Sequence, residues 1–195
     1  MSRNFILASA SPRRRELLGI LGIQFDVVPS NAEEIPKPGE SPVDFVARAA
    51  RDKGAEVSGR VRNAIVLSAD TIVALDGRIL GKPVGRDDAI RMLESLSGRE
   101  HSVYTAVSVR DSARARHHEG VDETRVWFNS LSREMIRNYL DREDVMDKAG
   151  AYAIQGFASV FIPRIEGNYG NVMGLPLPLT CDLLSRHGLK CDTSS

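Results

Sequence analysis

The chain has 195 residues, enough to bury a substantial hydrophobic core in one domain, or in one domain with a small lobe. Its 26 basic and 26 acidic side chains cancel, which argues against bulk electrostatic attraction to nucleic acid. No apolar run approaches the roughly 20 residues that a membrane-spanning helix needs. Two cysteines, Cys181 and Cys191, without a secretion signal favour a reduced pair in a cytosolic protein.

The first predicted elements are a short apolar strand at residues 5–8 and a helix directly after it. Ser11 is typical of an N-cap, and Pro12 suits the first helical position because its missing N–H is not needed there. The apolar face of this helix consists of Leu17, Leu18 and Leu21. The segment therefore predicts a strand, a turn and a helix in close succession.

Three arginines, Arg13 to Arg15, occupy the first turn of this helix. The helix dipole makes that end electropositive, so each added cation is unfavourable by about 0.3–1 kcal/mol before screening. A second Ser-Pro opening, at Ser41-Pro42, carries the acid Asp44 where the first carries Arg14. The arginines therefore indicate either a phosphate held in a strand-turn-helix cradle or a solvated helix end.

The rest of the chain alternates strands and helices. Further strands are predicted at 25–28, 64–69, 72–75, 78–80, 102–109, 121–131 and 158–165, with an Asp76-Gly77 hairpin turn and a polar loop at 29–41. Further helices are predicted at 42–57, 86–96, 132–141 and 177–187. This order indicates an α/β fold with a mixed twisted sheet and flanking helices, in a single domain, residues 1–195, that has room for two lobes around a central cleft.

Two further positions suggest chemistry. Asp70 follows the predicted strand 64–69, and the carboxyl ends of strands are where α/β sheets usually place ligands. An acid there serves as a metal ligand, a general base or a cap of the next turn. Lys82 lies between Gly81 and Pro83, which suits a phosphate contact held in place, although a lysine alone is more often plain surface.

An ordered set of motifs resembles the Maf family of nucleoside triphosphate pyrophosphatases and spans almost the whole chain. The set is Ser9-Ala10-Ser11-Pro12-Arg13-Arg14, Ser68-Ala69-Asp70-Thr71-Ile72-Val73, Gly81-Lys82-Pro83, Gly98 with His101 and Thr105, Asp147-Lys148-Ala149-Gly150-Ala151-Tyr152, Ile154-Gln155-Gly156 and Gly174-Leu175-Pro176. The resemblance implies the fold of the inosine triphosphate pyrophosphatases and a cytoplasmic homodimer. It also implies cleavage of a nucleoside triphosphate to the monophosphate and pyrophosphate with a divalent metal, Mg²⁺ or Mn²⁺.

The resemblance also implies residue roles. Asp70 would be the catalytic acid that orients or deprotonates the attacking water. Glu34 would bind the metal together with Asp70, with Glu33 as its rival. The substrate-binding residues would be Ser9, Ser11, Arg13, Arg14, Lys53 and Lys82. For Lys53, in the middle of a predicted helix, a plain solvated position is an equal alternative.

Within the family, the chain resembles the subgroup that acts on dTTP and UTP, in which the positions of Arg13, Thr71 and Gln155 are linked with base choice. The 7-methyl-GTP subgroup typically has a bulky aromatic residue at the position of Arg13 and lacks Ile-Gln-Gly at 154–156. The Gln155 amide can pair with a uracil or thymine edge, but neighbouring groups must fix its orientation to exclude cytosine. The alternatives are a purine-directed house-cleaning pyrophosphatase and a non-catalytic nucleotide-binding regulator of cell division. Sparse aromatic residues argue against nucleic acid as a partner.

Other residues support structural interpretations. His101, entering a strand, is expected to be hydrogen-bonded structure rather than a base. His117 and His118 have no ligand partner at a useful spacing, so metal binding there is not expected. Trp127 and Phe128 lie on opposite faces of one strand, which predicts one core residue and one candidate for a dimer contact.

Overall fold

The structure, a computed structural model, describes residues 3–191. Its strands are β1 (Asn4–Leu7), β2 (Asp26–Val27), β3 (Ala64–Leu75), β4 (Arg78–Leu80), β5 (Glu100–Asp111), β6 (Arg116–Trp127) and β7 (Arg164–Glu166). Its α-helices are α1 (Pro12–Gly19), α2 (Pro42–Arg60), α3 (Arg86–Leu96), α4 (Arg133–Leu140), α5 (Tyr169–Met173) and α6 (Leu177–Ser185). Two 3-10 helices, Ala149–Ala151 and Gly156–Phe161, lie between α4 and β7.

The strands form one mixed sheet in the order β2-β1-β3-β5-β6-β7, and β4 pairs with β3 beside this path. β1 is parallel to β2 and β3, whereas the other pairs are antiparallel. The helices cover both faces, with α2 on one and α1 and α6 on the other. The predicted α/β fold with a mixed sheet and flanking helices is confirmed.

One edge of β3 has a gap that positions the site. β1 pairs with residues 64–67 of β3, and β4 pairs with residues 73–75 on the same edge, because β5 occupies the opposite edge from residue 65 to residue 74. Among the described strands, neither β1 nor β4 pairs with residues 68–72. Asp70 and Thr71 lie in the middle of this gap.

The predicted break of the strand at Asp70 is wrong, because β3 runs without interruption through Asp70 to Leu75. No turn-forming residue follows Asp70, and the long pairing with β5 keeps the backbone extended. The predicted strand at 158–165 is also wrong over most of its length. Its first part is the 3-10 helix Gly156–Phe161, which starts at a glycine with φ of 78°, and only residues 164–166 pair with β6.

Two apolar cores share the face of the sheet that carries α1 and α6. One surrounds Leu7, Leu18 and Leu67, and the other surrounds Val73, Val103 and Phe128. Polar Thr71 and Thr105, a cross-strand pair, lie between them. The sheet thus joins two hydrophobic clusters with a polar belt at their boundary.

Several smaller expectations have clear outcomes. His101 is buried, its Nε2 lies 2.8 Å from the Tyr152 hydroxyl, and burial lowers its pKa to about 4, which confirms a structural role. Phe128 is a core residue, whereas Trp127 is half-buried and contacts the guanidinium groups of Arg125 and Arg164. Among residues 3–191, no group of three or more histidine, cysteine or carboxylate side chains could hold a metal.

The expectation of reduced cysteines is corrected, because Cys181 and Cys191 form a disulfide. Their Cα atoms lie 5.8 Å apart, since the chain after α6 turns back along that helix, and this separation is within the range that a disulfide spans. Within residues 3–191, no helix has the length and apolar character to cross a membrane.

Candidate active site

A cavity of about 360 Å³ opens at the gap in the edge of β3. Side chains alternate across a strand, so Asp70 faces α2 while Thr71 faces α1 and α5. The cavity therefore wraps around the free strand edge and is lined by both residues. One wall carries carboxylates and a lysine, and the other carries hydroxyls, two arginines and the apolar side chains of Val73 and Val103.

Lys53 joins the two carboxylates of the first wall. Its Nζ lies 2.7 Å from Asp70 Oδ1 and 2.7 Å from Glu34 Oε1. The side chains of Lys53 and Asp70 are only 9% and 5% exposed, so Lys53 is not the solvated helix residue of the alternative interpretation. A buried ion pair is weak support for stability, because desolvation offsets the attraction, which favours a functional reason for this one.

The fold brings Lys53 to Asp70 through a close approach of α2 to the sheet. Gly54 follows Lys53, and a Cβ at Gly54 would lie 2.6 Å from Ser68 Oγ, which is closer than such atoms approach. Ser68 Oγ donates to the carbonyl of Ala50, one turn earlier in α2, at 2.7 Å. The absent side chain at position 54 thus lets the lysine reach the strand.

The carboxylate of Glu34 has a pKa below its usual value. Partial burial raises the pKa, but the charge and hydrogen bond of Lys53 outweigh burial, and the charges of Lys82 and Arg14 lower the pKa further. Glu34 lines the cavity with a 40% exposed side chain, whereas Glu33 is exposed outside the lining residues. The geometry thus separates the two rival glutamates.

The opening of α1 forms the second wall. Ser11 caps the helix as predicted, since its Oγ accepts a hydrogen bond from the Arg14 N–H at 3.4 Å. The Arg14 side chain turns back into the cleft, where Nε donates to the carbonyl of Gly174 and Nη2 donates to Thr71 Oγ1, both at 2.9 Å. Nη1 lies 3.4 Å from Ser9 Oγ. The guanidinium is therefore held by three different segments of the chain.

Burial is the main influence on Arg14 and lowers its pKa, while the charges of Asp70 and Glu34 raise it and that of Arg13 lowers it. An arginine remains charged under such conditions, so the group is a desolvated cation. Such a cation, at the electropositive end of a helix, makes a suitable site for an anion. This geometry favours the phosphate cradle over the solvated helix end.

The structure brings most of the sequence-predicted site residues together. The cavity is lined by Ser9, Ser11, Arg13, Arg14, Glu34, Lys53, Asp70, Thr71 and Lys82. Gln155 is exposed and is not one of the described lining residues, and the same holds for Arg15. The arginine run therefore contributes two guanidinium groups to the cavity and directs one outward.

Sequence reasoning assigned no role to two further lining residues, Lys148 and Tyr152. Lys148 pairs with Asp147, and Tyr152 is buried against His101. Both lie in the glycine-containing segment that contributed to the family resemblance, which was the one available signal for them. Their approach to β3 depends on contacts between distant segments, such as the hydrogen bond from Gly150 N–H to the Gly81 carbonyl.

The chain is similar to known proteins over most of its length. A family model described as Maf-like protein matches residues 4–187. A protein from Syntrophomonas wolfei named dTTP/UTP pyrophosphatase is 47% identical over 93% of this chain and 96% of its own length. One of the same name from Pelotomaculum thermopropionicum is 45% identical over 95% of this chain and 97% of its own. Among solved structures, the Ham1 protein of Staphylococcus aureus matches 65% of this chain and 72% of its own, with 14% identity and a TM-score of 0.46.

Proposed function

The chain belongs to the Maf-like family, and on that premise we propose that it hydrolyses dTTP and UTP to the nucleoside monophosphate and pyrophosphate. One observation carries the proposal. A single cavity opposes two carboxylates, Asp70 and Glu34, to the cationic opening of α1. Hydrolysis at a phosphorus atom needs both, because the attacking water must be activated while the charge of the phosphates is neutralised.

The cationic wall would hold the triphosphate. Arg14 and Arg13 would donate to phosphate oxygens, and Ser9 and Ser11 would add hydroxyl contacts at the electropositive opening of α1. Lys82 lines the same cavity as Glu34, and its charge lowers the pKa of the Glu34 carboxyl. The Lys82 ammonium group would stabilise the negative charge that develops on the pyrophosphate leaving group.

Asp70 would direct the attacking water. Lys53 holds Oδ1 of Asp70, which leaves Oδ2 to accept a hydrogen bond from the water and to take its proton. The ammonium also keeps Asp70 oriented in a desolvated position. Lys53 is therefore proposed as the group that fixes the base, rather than as a direct phosphate contact.

We further propose that Mg²⁺ or Mn²⁺ takes part, bound by Asp70, Glu34 and phosphate oxygens. The donor set fits such a cation, since hard divalent ions prefer oxygen ligands and Mg²⁺ is usually held by one or two carboxylates together with substrate phosphates. When bound, the ion supplies charge neutralisation at the phosphate and lowers the pKa of a coordinated water. Lys53 lies between the same two carboxylates, and its charge would offset part of their mutual repulsion.

Base choice is proposed to involve Arg13 and Thr71, which line the cavity, together with Gln155, which lies two residues beyond the lining residue Ala153. A cytoplasmic location is proposed because nucleoside triphosphates are cytoplasmic metabolites. A homodimer, with no nucleic acid or membrane as partner, is proposed from the family resemblance. The zero net charge supports the exclusion of nucleic acid.

Pyrophosphate release from dTTP, UTP, CTP, GTP and 7-methyl-GTP with Mg²⁺ or Mn²⁺ tests the function. We expect turnover of dTTP and UTP, a loss of about 10³-fold or more in Asp70→Asn, and a large loss in Glu34→Gln. Glu33→Gln is the matched control and should retain activity, because Glu33 lies outside the cavity lining. Nucleotide binding without pyrophosphate release would instead indicate a regulator, and preferential turnover of GTP a purine-directed enzyme.

A further inference from the structure

A chain of hydrogen bonds behind the cavity links four segments that are distant in sequence. Arg14 Nη2 donates to Thr71 Oγ1 at 2.9 Å, Thr71 Oγ1 lies 2.9 Å from Thr105 Oγ1, and Thr105 Oγ1 donates to the carbonyl of Asn171 at 2.8 Å. Thr105 is fully buried, whereas Thr71 is half-buried and lines the cavity. The chain therefore runs from a cation to a backbone carbonyl through two threonines.

The chemistry of its two ends fixes the direction of every proton. A carbonyl oxygen only accepts, so Thr105 must use its single hydroxyl proton on Asn171. Thr105 can then only accept from Thr71, and Thr71 must donate to Thr105. A guanidinium only donates, so Thr71 also accepts from Arg14. If Thr105 donated to Thr71 instead, its lone pairs would face those of the Asn171 carbonyl oxygen at 2.8 Å.

This direction limits what Thr71 offers a ligand. Its proton is committed to Thr105 and one lone pair is committed to Arg14, so its remaining capacity toward the cavity is one acceptor lone pair. Uracil and thymine carry a hydrogen on N3, whereas cytosine has a lone pair there. An acceptor facing N3 therefore binds the first two bases and repels the third, since an unpaired buried polar group is costly.

We propose that Thr105 is a specificity-determining positioning residue, which holds the Thr71 hydroxyl as an acceptor so that Thr71 selects pyrimidines with an N3–H. The inference rests on the proposed function, because it concerns the base of the same nucleotide substrate. It gives the tolerance of both dTTP and UTP a physical reason, since thymine and uracil present the same N3–H and Thr71 reads neither the methyl group nor the sugar.

The matched substrates for the test are UTP and CTP, which share sugar and phosphates and differ only at positions 3 and 4 of the base. In Thr105→Val, the Thr71 proton loses its acceptor and becomes free to turn toward the cavity. We expect the ratio of kcat/KM for UTP over CTP to fall by about tenfold or more, which corresponds to about 1.4 kcal/mol. Thr105→Ser keeps the hydroxyl and should hold the ratio within about twofold of the wild-type value.

Equal losses for both substrates in Thr105→Val would overturn the inference, because they indicate a merely structural role. An equal fall in the ratio for Thr105→Ser would also overturn it. If Thr105→Val does not fold, as judged by thermal unfolding, Thr71→Val compared with Thr71→Ser provides the same contrast with the same expected ratios. Absence of wild-type turnover of UTP would instead contradict the proposed function, so the two failures have different signatures.

Discussion

Helices α1 and α2 begin with the same pair of residues and carry opposite charge in their first turns. In α2, Ser41 Oγ accepts from the Asp44 N–H at 3.1 Å and donates to Asp44 Oδ2 at 2.6 Å. In α1, Ser11 caps in the same way, but the residue at the matching position is Arg14, and the first turn contains no acid. The backbone geometry is shared, whereas the electrostatics differ.

The difference separates two uses of a helix N-terminus. The opening of α2 has the acid that the helix dipole favours, and it lies outside the cavity lining. At the opening of α1, the helix dipole repels the arginines. Arg14 is nevertheless held there by hydrogen bonds to the Gly174 carbonyl and to Thr71 Oγ1. Local features that reduce stability are expected at binding sites, where the ligand compensates them.

Neutralising the first-turn charge of each helix should have very different consequences. Arg14→Gln removes a preorganised donor from the phosphate wall, and we expect kcat/KM for dTTP to fall about 10²–10³-fold. Asp44→Asn changes the matching position of α2, and we expect activity within about twofold of wild type, with a loss of stability below about 1 kcal/mol. Steady-state kinetics and urea unfolding provide the two measurements. Near-wild-type kinetics in Arg14→Gln would contradict the assignment of the opening of α1 to phosphate binding.

Acidification tests whether the core, rather than either helix opening, limits stability at low pH. His101 is buried and neutral, with a pKa of about 4, and the unfolded chain binds its proton at about pH 6.5. The unfolded state therefore holds more protons between these values, so stability should fall by up to about 3 kcal/mol as pH drops from about 6.5 to 4. His101→Gln should flatten the dependence of the unfolding free energy on pH in this window. An unchanged slope would assign acid sensitivity to other groups.

Charge reversal within the arginine run is expected to change stability least of all, and it compares a residue that lines the cavity with one that does not. Arg13→Glu and Arg15→Glu each replace a cation by an anion in the first turn of α1, and each should raise stability by about 0.3–1 kcal/mol. Only Arg13 lines the cavity, so Arg13→Glu should strongly reduce turnover of dTTP, whereas Arg15→Glu should leave turnover intact. Thermal unfolding and kinetics are measured on both variants. Loss of stability in both would show that the arginines do not oppose the dipole.

The features predictable from sequence depend on neighbouring residues. The caps at Ser11 and Ser41, the Asp76-Gly77 hairpin and the bounds of α3 agree with the structure, because caps and turns use contacts within a few positions. Asp70 was recognised as important, but its position inside a continuous strand was not. The pairing that keeps β3 extended involves β5, more than thirty residues away.

The arrangement of the site was predictable only in part. The family motifs identified most of the lining residues, yet no sequence pattern indicates that Lys53 bridges Asp70 and Glu34, since this depends on the approach of α2 at Gly54. The hydrogen bonds from Arg14 to Asn171 likewise join four elements. Gln155 shows the opposite case, because its motif was recognised while its side chain lies outside the cavity lining.

The most direct test of the proposed reaction follows one oxygen atom. A single turnover of dTTP in heavy-oxygen water, with mass spectrometry of both products, identifies the phosphorus atom that the water attacks. With Asp70 directing water to the α-phosphorus, the heavy oxygen should appear in the thymidine monophosphate and the released pyrophosphate should be unlabelled. Label in the pyrophosphate would mean attack at the β-phosphorus and would contradict the roles assigned to Asp70 and to the opening of α1.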